Sequence, residues 1–226
     1  MLTIYPNVHW DQAGSELDPY VILGQAPRGS AEGEKALIIG PQARIRSFTV
    51  LYAGSQFGAR LQTGHHVMVR EDNIVGDEVS IGTNSTLEYG NRIGHRVRIH
   101  SGCFLERADI GNDVFIGPNV VFTDDPHPIC PRYQDCKRAA TIGDFARIGA
   151  NSTLLPGVKI GKNVLIGAGS VVTQDIPDGM VAAGNPARLI KRIDELTCEP
   201  GPQQKQTRRL FEQIADREKA DCAFSQ

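Results

Sequence analysis

The stretch IGDFARIGANSTLLPGVKIGKNVLIGAGSVV (residues 142–172) carries an aliphatic residue at every sixth position. The repeating positions are Ile142, Ile148, Leu154, Ile160, Ile166 and Val172. A period of six fits neither an α-helix, which repeats about every 3.6 residues, nor a strand that alternates every two. It fits short strands joined by tight bends, with one side chain directed inward from each strand. The stretch therefore predicts a solenoid of stacked coils.

The same period extends upstream from Ile39 to Leu105, and it continues from Ile110 to Phe122 after one residue is dropped. Eleven of the twelve positions from Ile39 to Leu105 are apolar, the exception being Thr63. Glycine directly follows 12 of the 21 repeat positions, and we interpret these glycines as the places where the backbone turns. The pattern predicts a repeat domain over residues 37–185.

The period is interrupted once, over residues 123–141, where the sequence reads FTDDPHPICPRYQDC from Phe122. An excursion longer than about 12 residues from a compact repeat is more often functional than accidental. If three hexapeptides form one coil, the residue after each repeat position belongs to a row that runs from coil to coil along one face. The loop leaves from the end of a row of bulky and polar residues: Tyr52, Arg70, Glu88, Glu106 and Thr123. For Glu88 and Glu106, a substrate-binding role and a solvated charge ladder both stay open.

The composition excludes several functional classes. The chain has 226 residues, is 40% hydrophobic and has a formal net charge of −2, so no global charge favours nucleic acid or an anionic membrane. No apolar run approaches the roughly 20 residues needed to span a bilayer. The N-terminus lacks the basic start and apolar run of a secretory signal. The odd number of cysteines, five, favours free thiols. We therefore expect a cytoplasmic protein without membrane insertion.

The stretch 142–172, followed by DIPDGMVAAGNPARLIKRI (175–193), resembles the hexapeptide-repeat acyltransferases. The resemblance implies an all-β fold, a left-handed parallel β-helix, in a homotrimer with active sites between subunits. It also implies acetyl-CoA as the donor and a sugar as the acceptor. We predict an N-terminal cap segment (1–36), a β-helix acyltransferase domain (37–193), and a linker with a C-terminal α-helix (194–226).

The segment FTDDPHP resembles the family loop that ends in a His-Pro pair, whose histidine is the general base of the sugar O-acetyltransferases. His127 fills that position, and an imidazole with a pKa of about 6.5 can accept a proton at neutral pH. Asp124 and Asp125 are then expected to orient the ring or to hold a substrate ammonium. Pro126 adds one residue to the family spacing, and a simple surface histidine is the alternative interpretation.

Acetyl-CoA binding is implied by the same resemblance. Backbone groups at Ala150 and Ala168 would meet the pantetheine arm and the thioester, and Thr173 matches a threonine of the family that contacts CoA. Arg188 and Lys191 match positions whose cations meet the CoA phosphates, and guanidinium and ammonium groups suit phosphate on physical grounds. Core packing is the alternative explanation for the two alanines alone.

The acceptor is less determined by the sequence. The segment VRIHSG…FIGPNVVFTDD, which lies within residues 97–125, is similar to nucleotide-sugar N-acetyltransferases. It favours the amino group of a nucleotide-linked amino sugar, with sugar O-acetylation as the alternative. His100 and Ser101 align with acceptor contacts of the sugar transferases. His100 stays open between a substrate contact, a second candidate base and a solvated turn residue.

A rival function comes from IGHRVRIHSGC (93–103), which resembles part of the zinc site of γ-class carbonic anhydrases. His95 and His100 would be two ligands, but a catalytic zinc site needs three protein ligands. The family spacing puts the third ligand two coils before His95, where this chain has Ala59. We therefore expect no metal.

Two further alternatives are weaker. Cys130 and Cys136 follow His127 in the loop, but three candidate ligands without a C-x2-C pair indicate a metal only weakly. A non-catalytic scaffold would have lost the His127 loop or the CoA-face residues, and this chain keeps both.

Overall fold

The computed structural model describes residues 1–129 and 131–197, which consist almost wholly of very short strands joined by turns. The strands of these residues form three sheets of nine, eight and ten strands. Up to the last two strands, consecutive strands along the chain fall in successive sheets, so each coil contributes one strand to each sheet.

Apart from the last two strands, each sheet takes every third strand in chain order. The first sheet contains β1 (Thr3–Ile4), β4 (Ile22–Gln25), β7 (Val50–Tyr52), β10 (Met68–Val69), β13 (Thr86–Leu87), β16 (Phe104–Leu105), β19 (Val121–Phe122), β22 (Thr153–Leu154) and β25 (Val171–Val172). The second contains β2 (Val8–Trp10), β5 (Leu37–Ile39), β8 (Gln56–Phe57), β11 (Ile74–Val75), β14 (Arg92–Ile93), β17 (Asp109–Ile110), β20 (Thr141–Ile142) and β23 (Lys159–Ile160). The third contains β3 (Glu16–Leu17), β6 (Arg44–Ile45), β9 (Gln62–Thr63), β12 (Ser80–Ile81), β15 (Arg98–Ile99), β18 (Phe115–Ile116), β21 (Arg147–Ile148), β24 (Leu165–Ile166), β26 (Met180–Gly184) and β27 (Ala187–Arg192).

The register confirms the predicted left-handed parallel β-helix. Val69 pairs in parallel with Leu87, and Leu87 with Leu105, so each coil returns to the same sheet after three hexapeptides. The coil that lacks one residue still pairs in register, with Phe104 opposite Val121. The insertion loop, defined here as residues 123–140, follows β19 and contains one helical turn, α1 (Tyr133–Cys136).

The repeat positions form the core. Leu87 is fully buried, and the single polar repeat position, Thr63, is 6% exposed. The hydroxyl of Thr63 accepts a hydrogen bond from the backbone N–H of Arg46 at 3.0 Å, which satisfies it inside the core. A second buried position, two residues before each repeat position, is occupied mainly by aliphatic residues such as Val79 and in some coils by polar residues such as Ser85 and Asn91. The sequence pattern did not reveal this second position.

The glycines after the repeat positions mark close contact between coils, which corrects their interpretation as bends. A Cβ added at Gly76 would lie 2.8 Å from the carbonyl carbon and oxygen of Gly94 in the next coil. The left-handed backbone conformation falls two residues later, at Glu78 (φ 59°) and Arg96 (φ 57°). Glycine is therefore required by the spacing of the coils and not by the turn.

Residues 1–36, predicted as a cap segment, instead contribute the first strands of all three sheets. Thr3 pairs with Ile22, and Ile22 with Val50, so the β-helix begins ahead of the predicted start at residue 37. The period is hidden there because an extra residue separates Trp10 from Leu17 and longer connections interrupt the strands that follow.

The first compact unit of the chain ends at Ile193. β26 extends the third sheet in parallel beside β24, and β27 pairs with β26 in antiparallel fashion. A 3-10 turn follows at Ile193–Glu195. The predicted linker prolines and C-terminal α-helix fall on residues 198–226, outside the described residues. Within the described part, no helix is long and apolar enough to cross a bilayer.

The glycine correction can be tested with two substitutions. Gly76→Ala should lower the free energy of unfolding by about 1–3 kcal/mol, because its methyl group presses on the next coil. Asn84→Gly should change it by less than about 0.5 kcal/mol, because Asn84 already holds a left-handed φ of 58°. Urea denaturation measures both values. A Gly76→Ala variant as stable as the wild-type protein would contradict the close contact between coils.

Candidate active site

Most of the predicted site residues lie at one or the other end of the first-sheet strands. The upstream corner is the turn that precedes each first-sheet strand, and it stacks Ser101, Ala150 and Ala168 in its coils. The downstream corner is the turn that follows each first-sheet strand. It begins with the row that includes Glu88 and Glu106, which the parallel register confirms.

Arg70 is the centre of the ion pairs in this row. It donates hydrogen bonds to Glu88 at 2.9 Å and to Glu71 at 2.8 Å, and its guanidinium lies 6.0 Å from the centre of the Tyr52 ring. Burial acts to lower the pKa of Arg70, but the two carboxylates outweigh it and raise that pKa above its ordinary value. Glu88 is therefore half-buried with its charge already paired.

Two buried asparagines hold the backbone of the same row. Asn91 donates from Nδ2 to Oδ1 of Asn73 at 2.8 Å, and both residues are fully buried. Asn73 also donates to the carbonyl oxygen of Arg70 at 2.8 Å, and Asn91 to that of Glu88 at 2.7 Å. The side-chain amides of the two asparagines take the place of water as hydrogen-bond donors to backbone carbonyl groups that point inward at the corner. Neither asparagine was among the predicted site residues.

The insertion loop is fastened through Asp124, which is only 2% exposed. The hydroxyl of Tyr133, in α1, donates to Asp124 Oδ2 at 2.7 Å and lies 2.8 Å from the hydroxyl of Tyr89. The backbone N–H of Arg138 donates to the carbonyl oxygen of Asp124 at 2.9 Å. Asp124 thus ties the helical turn and the far end of the loop to the first sheet. Sequence reasoning missed Tyr89 and Tyr133, because nothing in their spacing shows that the loop folds back.

His127 lies on the exposed part of the insertion loop. Its backbone N–H donates to Asp125 Oδ1 at 2.8 Å, which fixes the chain just before the Pro128 turn. The two loop aspartates therefore engage the backbone and Tyr133. The imidazole faces solvent, where a second molecule can reach it.

Glu106 is the titratable group of the downstream corner that responds at neutral pH. Burial first, then the charges of Asp124 and Glu88, raise the pKa of Glu106 to about 7. A hydrogen bond with Asp124 acts in the same direction, and the guanidinium of Arg107 opposes it. Arg107, which also lies 5.9 Å from the Tyr89 ring, was likewise missed by the sequence pattern.

A shallow groove crosses the third sheet beside the upstream corner. Its polar lining side chains come from neighbouring coils: Gln62, Ser80, Arg98, His100 and Ser101. The His100 ring lies 4.9 Å from the Phe115 ring, tilted against it, and both His100 and Ser101 are exposed. The groove offers hydroxyl, amide, imidazole and guanidinium groups side by side, a set that can hydrogen-bond a polyhydroxylated ligand.

The residues expected to hold acetyl-CoA lie on the last coils. Ala150 is half-buried and Ala168 exposed, and a Cβ added at the adjacent Gly169 would meet nothing within 4 Å. The upstream corner is thus open and carries only small side chains here, as a thin pantetheine arm requires. Thr173 is exposed at the other end of the same strand, and Arg188 is exposed on β27. Lys191 lies opposite Val181 in the terminal hairpin.

The two histidines of the rival zinc site have separate surroundings. His95 accepts a hydrogen bond at Nδ1 from the backbone N–H of Asp77 at 3.0 Å, in the turn after the second sheet, whereas His100 follows a strand of the third sheet. Across residues 1–129 and 131–197, no three His, Cys, Asp or Glu side chains are grouped to hold a metal ion. Cys130 lies outside the described residues.

Comparison with known proteins identifies the family. A profile described as "Bacterial transferase hexapeptide (six repeats)" matches residues 139–174, and one described as "Hexapeptide repeat of succinyl-transferase" matches residues 73–107. The chain is 32% identical to the galactoside O-acetyltransferase of Escherichia coli over 173 residues, which cover 69% of this chain and 81% of that protein. The chain belongs to the hexapeptide-repeat acyltransferase family.

Two further relatives bear on the extent of the likeness. The galactoside O-acetyltransferase of Lactococcus lactis is 37% identical over 131 residues, which cover 51% of this chain. This chain spans 63% of the length of that protein, less than two thirds. A crystal structure from Bacillus cereus superposes with a TM-score of 0.50 at 24% identity, covering 84% of this chain and 99% of that one. That likeness concerns the fold alone.

The energetic role of Arg70 can be measured by substitution. Arg70→Met should lower the free energy of unfolding by about 1–3 kcal/mol at neutral pH, because two half-buried carboxylates lose their partner. The loss should be smaller in about 1 M salt, which screens the attraction between the guanidinium and the two carboxylates. Arg60→Met is the matched control, because its pair with Glu78 is exposed and worth less than about 0.5 kcal/mol. Equal losses for both variants in urea denaturation would contradict this account.

Proposed function

We propose that this protein transfers the acetyl group of acetyl-CoA to a hydroxyl group of a sugar. The observation that carries the proposal is the match to a galactoside O-acetyltransferase over 81% of that protein's length. An exposed histidine on the insertion loop and a groove lined by hydrogen-bonding side chains support it. The amino group of a nucleotide-linked sugar, favoured by the sequence, stays a prediction that the same assay tests.

The division of the site supports the proposed homotrimer. His127 and the acid row belong to the downstream corner, whereas His100, Ser101 and the CoA-facing alanines lie at or near the upstream corner. A neighbouring subunit that presents its upstream corner to this downstream corner would complete the site. The outer face of the first sheet fits such a contact, because its half-buried outward residues are mostly apolar: Ile22, Val50, Met68, Thr86, Phe104, Val121, Thr153 and Val171.

In the proposed reaction the imidazole of His127 accepts the proton of the acceptor hydroxyl, and the oxygen attacks the thioester carbonyl carbon. A backbone N–H stabilises the resulting oxyanion. The carbon–sulfur bond then breaks, the acetyl ester is released, and the CoA thiolate takes the proton from the imidazolium. His100 and Ser101 contact the acceptor in this scheme.

The donor occupies the last coils in this proposal. Ala150 and Ala168 flank the pantetheine arm, Thr173 contacts it, and Arg188 and Lys191 meet the phosphates. The free thiol of Cys103 suits a reducing compartment, and we propose that the reaction takes place in the cytoplasm.

The assay that tests the proposal follows thiol release from acetyl-CoA in the presence of different acceptors. An alkyl galactoside and a nucleotide-linked amino sugar should be compared, with the products analysed by mass spectrometry before and after mild alkali. An alkali-labile acetyl group on the galactoside supports the proposal, because esters hydrolyse far faster than amides. An alkali-stable product on the amino sugar alone would support the N-acetyl alternative, and release with neither acceptor would count against both.

His127 carries the mechanistic prediction. His127→Ala should reduce kcat by roughly 10²–10⁴-fold, with little change in the KM for acetyl-CoA, because the variant loses the general base and keeps the donor site. His9→Ala is the control, because His9 is an exposed histidine in β2, on the second sheet, outside the proposed site. An unchanged kcat at saturating substrates would rule out His127 as the base.

A further inference from the structure

One face of the β-helix carries no carboxylate. In seven coils, the nine residues that run from the third-sheet strand through the upstream corner to the first-sheet strand include no aspartate or glutamate, although 26 of the 226 residues are acidic. These stretches, called here the acid-free face, are residues 43–51, 61–69, 79–87, 97–105, 114–122, 146–154 and 164–172. Their basic side chains are Arg44, Arg46, Arg98, Arg147, His65, His66 and His100. Every formal charge on this face is therefore positive.

The acidic residues near the third sheet lie at the other end of its strands. There, in the turns that precede the third-sheet strands, Asp113 pairs with Arg96 at 2.7 Å and Asp144 pairs with Lys162 at 3.0 Å. These carboxylates are engaged by cations of their own corner. They leave the positive charge of the acid-free face in place, and a recessed surface lined by one sign of charge attracts ligands of the opposite sign.

Arg98 is an exposed cation of this face that no acidic group neutralises. Among the residues that the structure describes, its guanidinium has neither a hydrogen-bond partner nor an ion-pair partner. By contrast, Arg44 pairs with Glu16 at 3.6 Å, and Arg46 pairs with Asp18 at 3.5 Å. A guanidinium offers two parallel N–H groups that match the oxygens of a carboxylate or a phosphate. Arg98 is therefore available to bind an anion.

Arg98 lines the shallow groove that crosses the third sheet, which has a volume of about 280 Å³. Small-molecule sites begin at about 300 Å³, so the groove suits a single sugar unit. Gly64 and Gly82 also line it. A Cβ added at Gly82 would lie 2.4 Å from the backbone nitrogen of Ser101 in the next coil. The spacing of the coils thus keeps a side chain out of this part of the groove.

The other polar groups of the groove lie within reach of the same ligand. Arg98 and His100 are two residues apart along one coil, about 7 Å in extended backbone, and both are exposed. Ser101 follows at the upstream corner, and Ser80 lies beside Arg98 on the adjacent strand. A sugar in the groove can therefore place hydroxyl groups on the serines and a charged substituent on the guanidinium.

We propose that the groove binds the anionic group of an acidic acceptor sugar, a carboxylate or a phosphate, and that Arg98 selects this acceptor. Arg98 is then a specificity residue, and it takes no part in the proton transfer assigned to His127. The identification of the ligand as the acetyl acceptor rests on the proposed function, whereas the binding of an anion at Arg98 does not. The phosphates of the donor are assigned to other residues, Arg188 and Lys191.

Titration with inorganic phosphate tests the anion site without assuming any sugar. In the full-length protein with isotope-labelled histidine, the His100 imidazole signal, identified with His100→Gln, should shift saturably with phosphate and not with chloride at equal ionic strength. Arg98→Gln should weaken this response by about 10–100-fold, because charge-assisted hydrogen bonds are lost. Arg92→Gln is the matched control, because Arg92 is exposed at the equivalent outward position of β14 on the second sheet, and it should leave the response unchanged.

Three results of this titration would overturn the proposal. The first is a His100 signal that does not respond to phosphate. The second is a response of the same strength in Arg98→Gln. The third is a wild-type protein without a phosphate response whose oligomer dissociates in Arg98→Gln, as measured by light scattering, because the guanidinium would then belong to a contact between subunits.

Acetyl transfer to matched sugars identifies the anion. Galactose 1-phosphate, the methyl glycoside of galacturonic acid and methyl galactoside carry a phosphate, a carboxylate and no charge. The KM for one of the two charged sugars should be at least about tenfold lower than that for methyl galactoside, and the preferred sugar distinguishes phosphate from carboxylate. Arg98→Gln should abolish the preference without changing the KM for acetyl-CoA, whereas Arg92→Gln should keep it.

The remaining outcomes separate this proposal from the proposed function. A preference for the neutral sugar, or a preference for a charged sugar that survives in Arg98→Gln, would overturn the selection of an acidic acceptor by Arg98. Phosphate binding that depends on Arg98, without acetyl transfer to any of the three sugars, would support the anion site and count against the proposed function.

Discussion

Each coil of this protein must lie within hydrogen-bonding distance of the next, and the other features follow from that spacing. Parallel strands lie about 4.8 Å apart, so a side chain after a second-sheet strand would strike the backbone of the following coil, as at Gly76. Additional residues cannot be accommodated within a coil and must leave it. The insertion loop is such a departure, and it brings a histidine to the surface without disturbing the register of β19 with β22.

The same stacking makes neighbours of side chains that are one coil apart in sequence. Along the downstream corner this arrangement produces the favourable pair Arg70–Glu88 and the unfavourable neighbours Glu88 and Glu106. A third carboxyl group, Asp124, enters from the loop. Burial and these neighbouring charges together raise the pKa of Glu106 to about 7.

Much of the fold could be predicted because the aliphatic residue at every sixth position marks an inward side chain in each strand. The row from Tyr52 to Thr123 and the departure point of the loop follow from the same period. The N-terminal strands could not be found, because one extra residue before Leu17 shifts the phase. The inner asparagines and serines were missed because a buried polar residue gives no apolar signal.

The candidate site was predicted less completely for a physical reason. Sequence spacing determines which residues stack in the repeat, but it carries no information on how the insertion loop folds back, so Tyr133 and Arg107 were not expected beside Asp124. The division of the remaining residues between two corners also cannot be read from one coil period. It becomes meaningful only when the first sheet is seen to separate them, and it is why the proposed site needs a second subunit.

The most direct test of the central claim is a calorimetric titration of the purified, metal-stripped protein with acetyl-CoA. The account predicts micromolar binding with about one site per chain. An absence of binding, accompanied by zinc uptake and CO₂ hydration activity, would contradict the acetyltransferase account and return His95 and His100 to consideration as metal ligands.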